Sequence, residues 1–111
     1  MATSHDIPEI RPAALKVLLD SADPPLVLDV RENWELEAAR LPGTLDIPMN
    51  DIPKRLAELP RDREIVVMCH GGVRSMKVAY FLTQNGFTHI SNLAGGIHAW
   101  ACDVDPSVGT Y

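Results

Sequence analysis

Apolar residues along the chain occur in short blocks that alternate with segments of helical spacing. The blocks at 26–28 and 65–68 are uninterrupted, which is typical of strands buried on both faces of a parallel sheet. Shorter strand patterns lie at 44–47 and 88–93, and a weaker one at 7–10 contains a proline, which favours an edge strand. These blocks predict the strands of one sheet.

The intervening segments predict helices. Beyond Ser75, small and apolar residues repeat at the i, i+3, i+4 and i+7 positions of one helix face, and Asn85-Gly86 is a typical C-terminal cap. The other helices are expected to begin at Pro12, to cover 32–40 and 51–59, and to begin again at Gly95-Gly96, with Trp34 and Trp100 as packing residues. Strands that alternate with helices predict an α/β fold with a parallel sheet.

Cys69 lies between the strand at 65–68 and the helix that follows, where ligands bind in open α/β sheets. Gly71 and Gly72 allow positive φ, so the N–H groups of the loop can turn inward, and the helix N-terminus and Arg74 add positive charge. Each of these features is expected to lower the pKa of the thiol below about 8.5. The sequence therefore favours a nucleophilic thiolate over an inert cysteine at the end of a core strand.

Asp29 and Arg31 follow the other uninterrupted strand, at 26–28. The carboxyl ends of parallel strands meet at one edge of a sheet, so these charges are expected near Cys69. The alternative is an exposed ion pair of little energetic value. We favour a role in the site.

Composition narrows the class of protein. The 111 residues, 46% hydrophobic and 23% charged with a net charge of −5, are typical of one globular domain and argue against a nucleic-acid partner. Two cysteines do not form a disulfide framework, and no apolar run is long enough to span a membrane. The scattered histidines show no metal-ligand spacing, so no metal site is expected. With no signal peptide in residues 1–10, a cytoplasmic location is expected.

Four segments together resemble the rhodanese domain in order and spacing. They are Leu28-Asp29-Val30-Arg31-Glu32, Leu41-Pro42-Gly43-Thr44, Cys69-His70-Gly71-Gly72-Val73-Arg74-Ser75 and Asn92-Leu93-Ala94-Gly95-Gly96-Ile97-His98-Ala99-Trp100. Any one of them is a weak signal, but four in register are strong. The resemblance implies a single rhodanese-like α/β domain over residues 1–111, with a five-stranded parallel sheet and helices on both faces. Its core would cover about 7–101, with 102–111 as an irregular tail.

The resemblance also implies a function. Rhodanese domains are sulfurtransferases whose cysteine takes a sulfane sulfur as a persulfide and passes it to a thiophilic acceptor. The expected partners are a small-molecule donor, thiosulfate or a low-molecular-weight persulfide, and cyanide or a thiol as acceptor. No metal or organic cofactor is required, and neither nucleic acid nor membrane is an expected partner.

The family's roles transfer to matching positions of this chain. Cys69 matches the nucleophile, and the substrate-cradling loop is formed by His70, Gly71, Gly72, Val73 and Arg74. Asp29, Arg31 and Ser75 are expected to support this loop. Whether His70 tunes the thiol or points to solvent stays open. The chain departs from the family at Arg40, where a histidine is common, and its loop has a single basic residue.

Alternative functions remain. A cysteine phosphatase also places cysteine and arginine around a helix N-terminus, but with five intervening residues, whereas Cys69 and Arg74 are separated by four. A relay that exchanges sulfur with a specific protein, or a binding module, would use the same fold. Cys102 is a candidate resolving thiol for Cys69, although sequence spacing does not establish proximity.

Overall fold

The computed structural model describes residues 7–111 and contains one five-stranded, all-parallel sheet. In chain order the strands are β1 (Glu9–Ile10), β2 (Leu26–Asp29), β3 (Leu45–Asp46), β4 (Ile65–Met68) and β5 (Ile90–Leu93). They are arranged in the order β1-β5-β4-β2-β3, with β4 at the centre. The predicted α/β class and the five-stranded parallel sheet are confirmed.

Four α-helices cover the sheet: α1 (Pro12–Leu19), α2 (Asn33–Ala38), α3 (Val73–Gln84) and α4 (Gly96–Asp103). Every residue of β4 is buried, and alternate residues of the strand belong to two separate apolar clusters. Because alternate side chains of a strand point to opposite faces, the two clusters lie on the two sides of the sheet. One cluster contains residues of α3, and the other contains residues of α1 and α4.

The prediction of one continuous helix over 51–59 is wrong. The chain instead forms two 3-10 segments, Met49–Asp51 and Pro53–Glu58, and Arg55 has non-helical φ and ψ of −118° and 18°. Pro53 has no N–H to donate, so it cannot continue an α-helix from the preceding turn. Ile52 and Leu59 are nevertheless buried, so the apolar pattern correctly marked the inward face.

Trp34, predicted to be a packing residue, does not enter the core, because its side chain is 63% exposed. In α2 the buried residue is its neighbour Glu35, a position that hydropathy alone assigns to the surface. Trp100 is buried, as expected.

The predicted irregular tail is partly ordered. Helix α4 continues to Asp103, and a 3-10 turn covers Pro106–Val108. Val108 and Tyr111 pack against the apolar cluster that contains α4. The C-terminal segment therefore lies against the domain.

Two features are absent from residues 7–111. No helix there has the length and apolar character needed to cross a membrane. The same part of the chain contains no group of three or more His, Cys, Asp or Glu side chains placed to hold a metal ion. Residues 1–6, which include His5 and part of the segment in which no signal peptide was expected, lie outside the described range.

Candidate active site

Sheet register brings the candidate residues to one edge. Strand β2 pairs with β4 so that Asp29 lies opposite Met68, the residue before Cys69. The chain leaves both strands at this edge, and Val30 N–H still donates to Met68 O at 3.0 Å. Asp29, Arg31 and Cys69 therefore lie in the same region, as the alternation of strands and helices predicted.

Cys69 is buried, with an exposure of 1%, and its sulfur is surrounded by hydrogen-bond donors. Gly72 N–H donates to Sγ at 3.1 Å and Ser75 N–H at 3.4 Å, while the Ser75 hydroxyl lies 3.3 Å away. Gly72 has a φ of 107°, in the left-handed region that favours glycine, and helix α3 begins directly after it. Gly71 does not have a positive φ, so only one of the two glycines bends the loop in this way.

These donors lower the pKa of the Cys69 thiol. Burial alone would raise it, but the hydroxyl and N–H of Ser75 and the N–H groups of Gly72 and Gly71 together outweigh burial. The thiolate is the nucleophilic form of cysteine, so the loop favours the reactive state.

Replacing Ser75 by alanine is expected to raise the pKa of Cys69, because the thiolate loses a hydrogen bond, and a hydrogen bond to a charged group contributes ~1.5–3 kcal/mol. The measurement is the pH dependence of Cys69 alkylation by iodoacetamide in a Cys102→Ser background. Its midpoint should move to higher pH. Ser21→Ala is the control, because the Ser21 hydroxyl is exposed and donates to Leu18 O. Equal midpoints in both variants would contradict the role of the Ser75 hydroxyl.

Arg74 is not a free cation. Its two terminal nitrogens donate to the two carboxylate oxygens of Glu35, at 2.6 and 2.8 Å. The bidentate pair with Arg74 is the main cause that lowers the pKa of Glu35 to about 2, although burial opposes it. Glu35 was not predicted as a site residue. It lies in the helix predicted over 32–40, but hydropathy gives no sign that a glutamate there is buried.

Asp29 and Arg31 form a buried ion pair with no exposed side-chain surface, so the surface alternative is excluded. Arg31 Nη2 donates to Asp29 Oδ2 at 2.8 Å, and Nε donates to Oδ1 at 2.9 Å. The same guanidinium donates to the backbone carbonyls of Glu35 and Ala39 at the end of α2. The pair therefore fixes α2, the helix that presents Glu35 to Arg74.

Helix α4 holds the loop from its other side. Ile97 N–H donates to Cys69 O at 2.9 Å, and His98 N–H donates to His70 O at 3.1 Å. These donors belong to the first turn of α4, whose N–H groups have no partner within the helix. The glycine pair that precedes them allows the close approach.

Asn92 is a second residue whose role sequence reasoning missed, although it is part of the fourth rhodanese-like segment. It is buried in β5, and its Nδ2 donates to Gly72 O and to Glu9 Oε2, both at 3.1 Å. The side chain thereby ties the loop to the edge of the sheet.

Two imidazole rings and a second thiol lie at the loop and on α4: those of His70, His98 and Cys102. The His70 ring is stacked on Tyr111 and contacts His98 edge-on, and its Nε2 has no hydrogen-bond partner among the described residues. Cys102 is exposed on α4, 3.8 Å from His98 Nε2, and both cysteines are free thiols. A resolving role for Cys102 stays a prediction.

Comparisons with known proteins find relatives over most of the chain. The model of the rhodanese-like domain matches residues 11–103. A protein of Allochromatium vinosum named as a sulfurtransferase is 38% identical over 93 residues, which are 84% of this chain and 87% of the relative. A rhodanese-like domain protein from Staphylococcus aureus is 32% identical with a TM-score of 0.83, covering 95% of this chain and 99% of its own.

A larger protein contains a similar unit. An NAD-dependent persulfide reductase from A. fulgidus is 32% identical with a TM-score of 0.68, over 85% of this chain and 16% of that one. The relatives support a rhodanese-type role in sulfur transfer. The chain belongs to the rhodanese-like domain family.

Proposed function

We propose that the protein is a sulfurtransferase that moves a sulfane sulfur from thiosulfate or a low-molecular-weight persulfide to cyanide or a thiol, through a persulfide on Cys69. The observation that supports this most directly is the set of donors around Sγ. Two backbone N–H groups and one hydroxyl converge on a buried thiol and lower its pKa. Such a site stabilises the thiolate that attacks the sulfur donor and that forms again when the acceptor removes the outer sulfur.

The chemistry needs two displacements. The Cys69 thiolate attacks the outer sulfur of thiosulfate, a new S–S bond forms, and sulfite leaves with the electron pair of the broken S–S bond. Cyanide then attacks the outer sulfur of the persulfide, thiocyanate leaves, and the thiolate is regenerated. Charge is conserved in each step, and the donors around Sγ stabilise the Cys69 thiolate with which the cycle begins and ends.

The phosphatase alternative is less well supported. Four residues separate Cys69 from Arg74, against five in phosphatase loops, and the shorter loop offers a smaller cradle that suits one sulfur better than a tetrahedral phosphoryl group. The relay alternative uses the same persulfide and differs only in its donor and acceptor.

Incubation with thiosulfate or glutathione persulfide is expected to add the mass of one sulfur atom to the intact protein. The addition should be lost in Cys69→Ala and reversed by cyanide. Cys102→Ser is the matched control, because Cys102 is exposed, and it should load like the parent.

Intact-protein mass spectrometry distinguishes the outcomes. Sulfur retained in Cys69→Ala, or no added sulfur from either donor, would contradict the proposal. Turnover of an aryl phosphate without sulfur loading would favour the phosphatase instead. The faster of the two donors would identify the donor class.

A further inference from the structure

The ring of Tyr111 is held against the active loop from three sides. It stacks on the His70 imidazole, with centroids 4.3 Å apart and planes inclined by 24°. Trp34 contacts it edge-on at 5.8 Å, and the guanidinium carbon of Arg31 lies 5.6 Å from its centroid. The exposed position of Trp34 thereby has a structural role, because one edge of the indole packs on this ring. A ring fixed in this way has little freedom to move its hydroxyl.

The hydroxyl joins the two ion pairs of the site. It accepts a hydrogen bond from Arg31 Nη1 at 3.0 Å and donates one to Glu35 Oε2 at 2.6 Å. Burial raises the pKa of Tyr111, with Arg31 opposing and Glu35 adding to the rise, so the hydroxyl keeps its proton. It can therefore donate to Glu35 at all pH values near neutrality.

This hydrogen bond completes the partners of the Glu35 carboxylate. Oε1 also accepts from Glu32 N–H at 3.0 Å, and the two oxygens accept from Arg74. Arg74 in turn interacts electrostatically with the Cys69 thiolate, which contributes to raising the pKa of the guanidinium after the larger effect of Glu35. The hydroxyl of Tyr111 is thus connected through Glu35 and Arg74 to the field at the sulfur.

We infer that Tyr111 is a positioning residue of the active site, whose hydroxyl fixes Glu35 and thereby holds Arg74 where its charge attracts anionic reagents to Cys69. Loss of the hydroxyl leaves the Glu35 charge less compensated and Arg74 less constrained, and both changes disfavour an approaching anion. The inference deepens the proposed function, on which it rests, because thiosulfate and persulfides are anions.

The test compares alkylation of Cys69 by iodoacetate, an anion, with alkylation by neutral iodoacetamide, in a Cys102→Ser background. Both reagents react with the thiolate, so the ratio of their rates cancels changes in thiol pKa, and the measurement is made under conditions in which each variant is fully folded. Tyr111→Phe keeps the ring and removes the hydroxyl. The ratio of the iodoacetate rate to the iodoacetamide rate is expected to fall about fivefold. This is the change that corresponds to the free energy of one typical hydrogen bond.

Two further variants serve as the positive and the negative control for this ratio. Arg74→Gln should lower the ratio at least as much as Tyr111→Phe, and Tyr80→Phe, on the exposed side of α3, should leave it unchanged. A Tyr111→Phe ratio equal to that of the parent would overturn the inference, and so would an unchanged ratio in Arg74→Gln. Alkylation requires no sulfur donor. The inference can therefore fail while sulfur loading of Cys69 succeeds, or hold while loading fails.

Discussion

Replacing Arg31 by methionine is expected to lower the free energy of unfolding by about 3–5 kcal/mol, because it leaves the Asp29 carboxylate buried without its cation. Neither side chain of this pair has any exposed surface. The carbonyls of Glu35 and Ala39 also lose the donor they share. Domains of this kind are stable by only about 5–15 kcal/mol in total, so the variant should be marginally folded. Denaturant titration measures the loss.

Lys16→Met is the matched control. Lys16 pairs with Asp20 on the surface of α1, where the two side chains are 49% and 63% exposed. Removing an exposed pair costs about 0–1 kcal/mol. Replacing both buried charges, as in Asp29→Leu with Arg31→Met, should recover part of the loss, because no unpaired charge remains. If Arg31→Met were no more destabilising than Lys16→Met, the buried pair would not have the structural role assigned to it.

Replacing Gly96 by alanine is expected to reduce sulfur transfer about a hundredfold, because a Cβ at this position would displace the loop and misplacement of about 1 Å has effects of that size. The added atom would lie 2.3 Å from His70 O and 2.5 Å from Cys69 O, and both are backbone atoms that cannot turn aside. The backbone at Gly96 also has a φ of 63°. The measurement is kcat/KM for thiosulfate and cyanide.

Gly43→Ala is the control that separates the steric clash of the added Cβ from the strain of a positive φ. Gly43 has a φ of 76°, similar to that of Gly96, but a Cβ there would have no atom within 4 Å. The left-handed conformation alone should cost about 1–2 kcal/mol of stability in either variant and should leave transfer unaffected in Gly43→Ala. Equal activity of the two variants would show that α4 does not determine the position of the Cys69 loop.

The sequence alone determined the centre of this protein. Uninterrupted apolar residues at β4 predicted a strand buried on both faces, and the structure has it with the predicted boundaries. The i, i+3, i+4, i+7 face of the next helix is buried at every predicted position, Ser75, Val78, Ala79 and Leu82. These signals are local, because burial on both faces and helical period are properties of consecutive residues. The position of Cys69 between strand and helix followed from them.

Only the tertiary structure decided how the site is completed. Glu35 is buried because Arg74, 39 residues away, is its ion-pair partner, and Tyr111 reaches the same carboxylate from 76 residues away. No periodicity relates residues so far apart. The ion pair with Arg74 turns the Glu35 face of α2 inward, and the neighbouring side chain of Trp34 is therefore exposed. Hydropathy describes one segment at a time, whereas burial of a charge depends on a partner from a different segment.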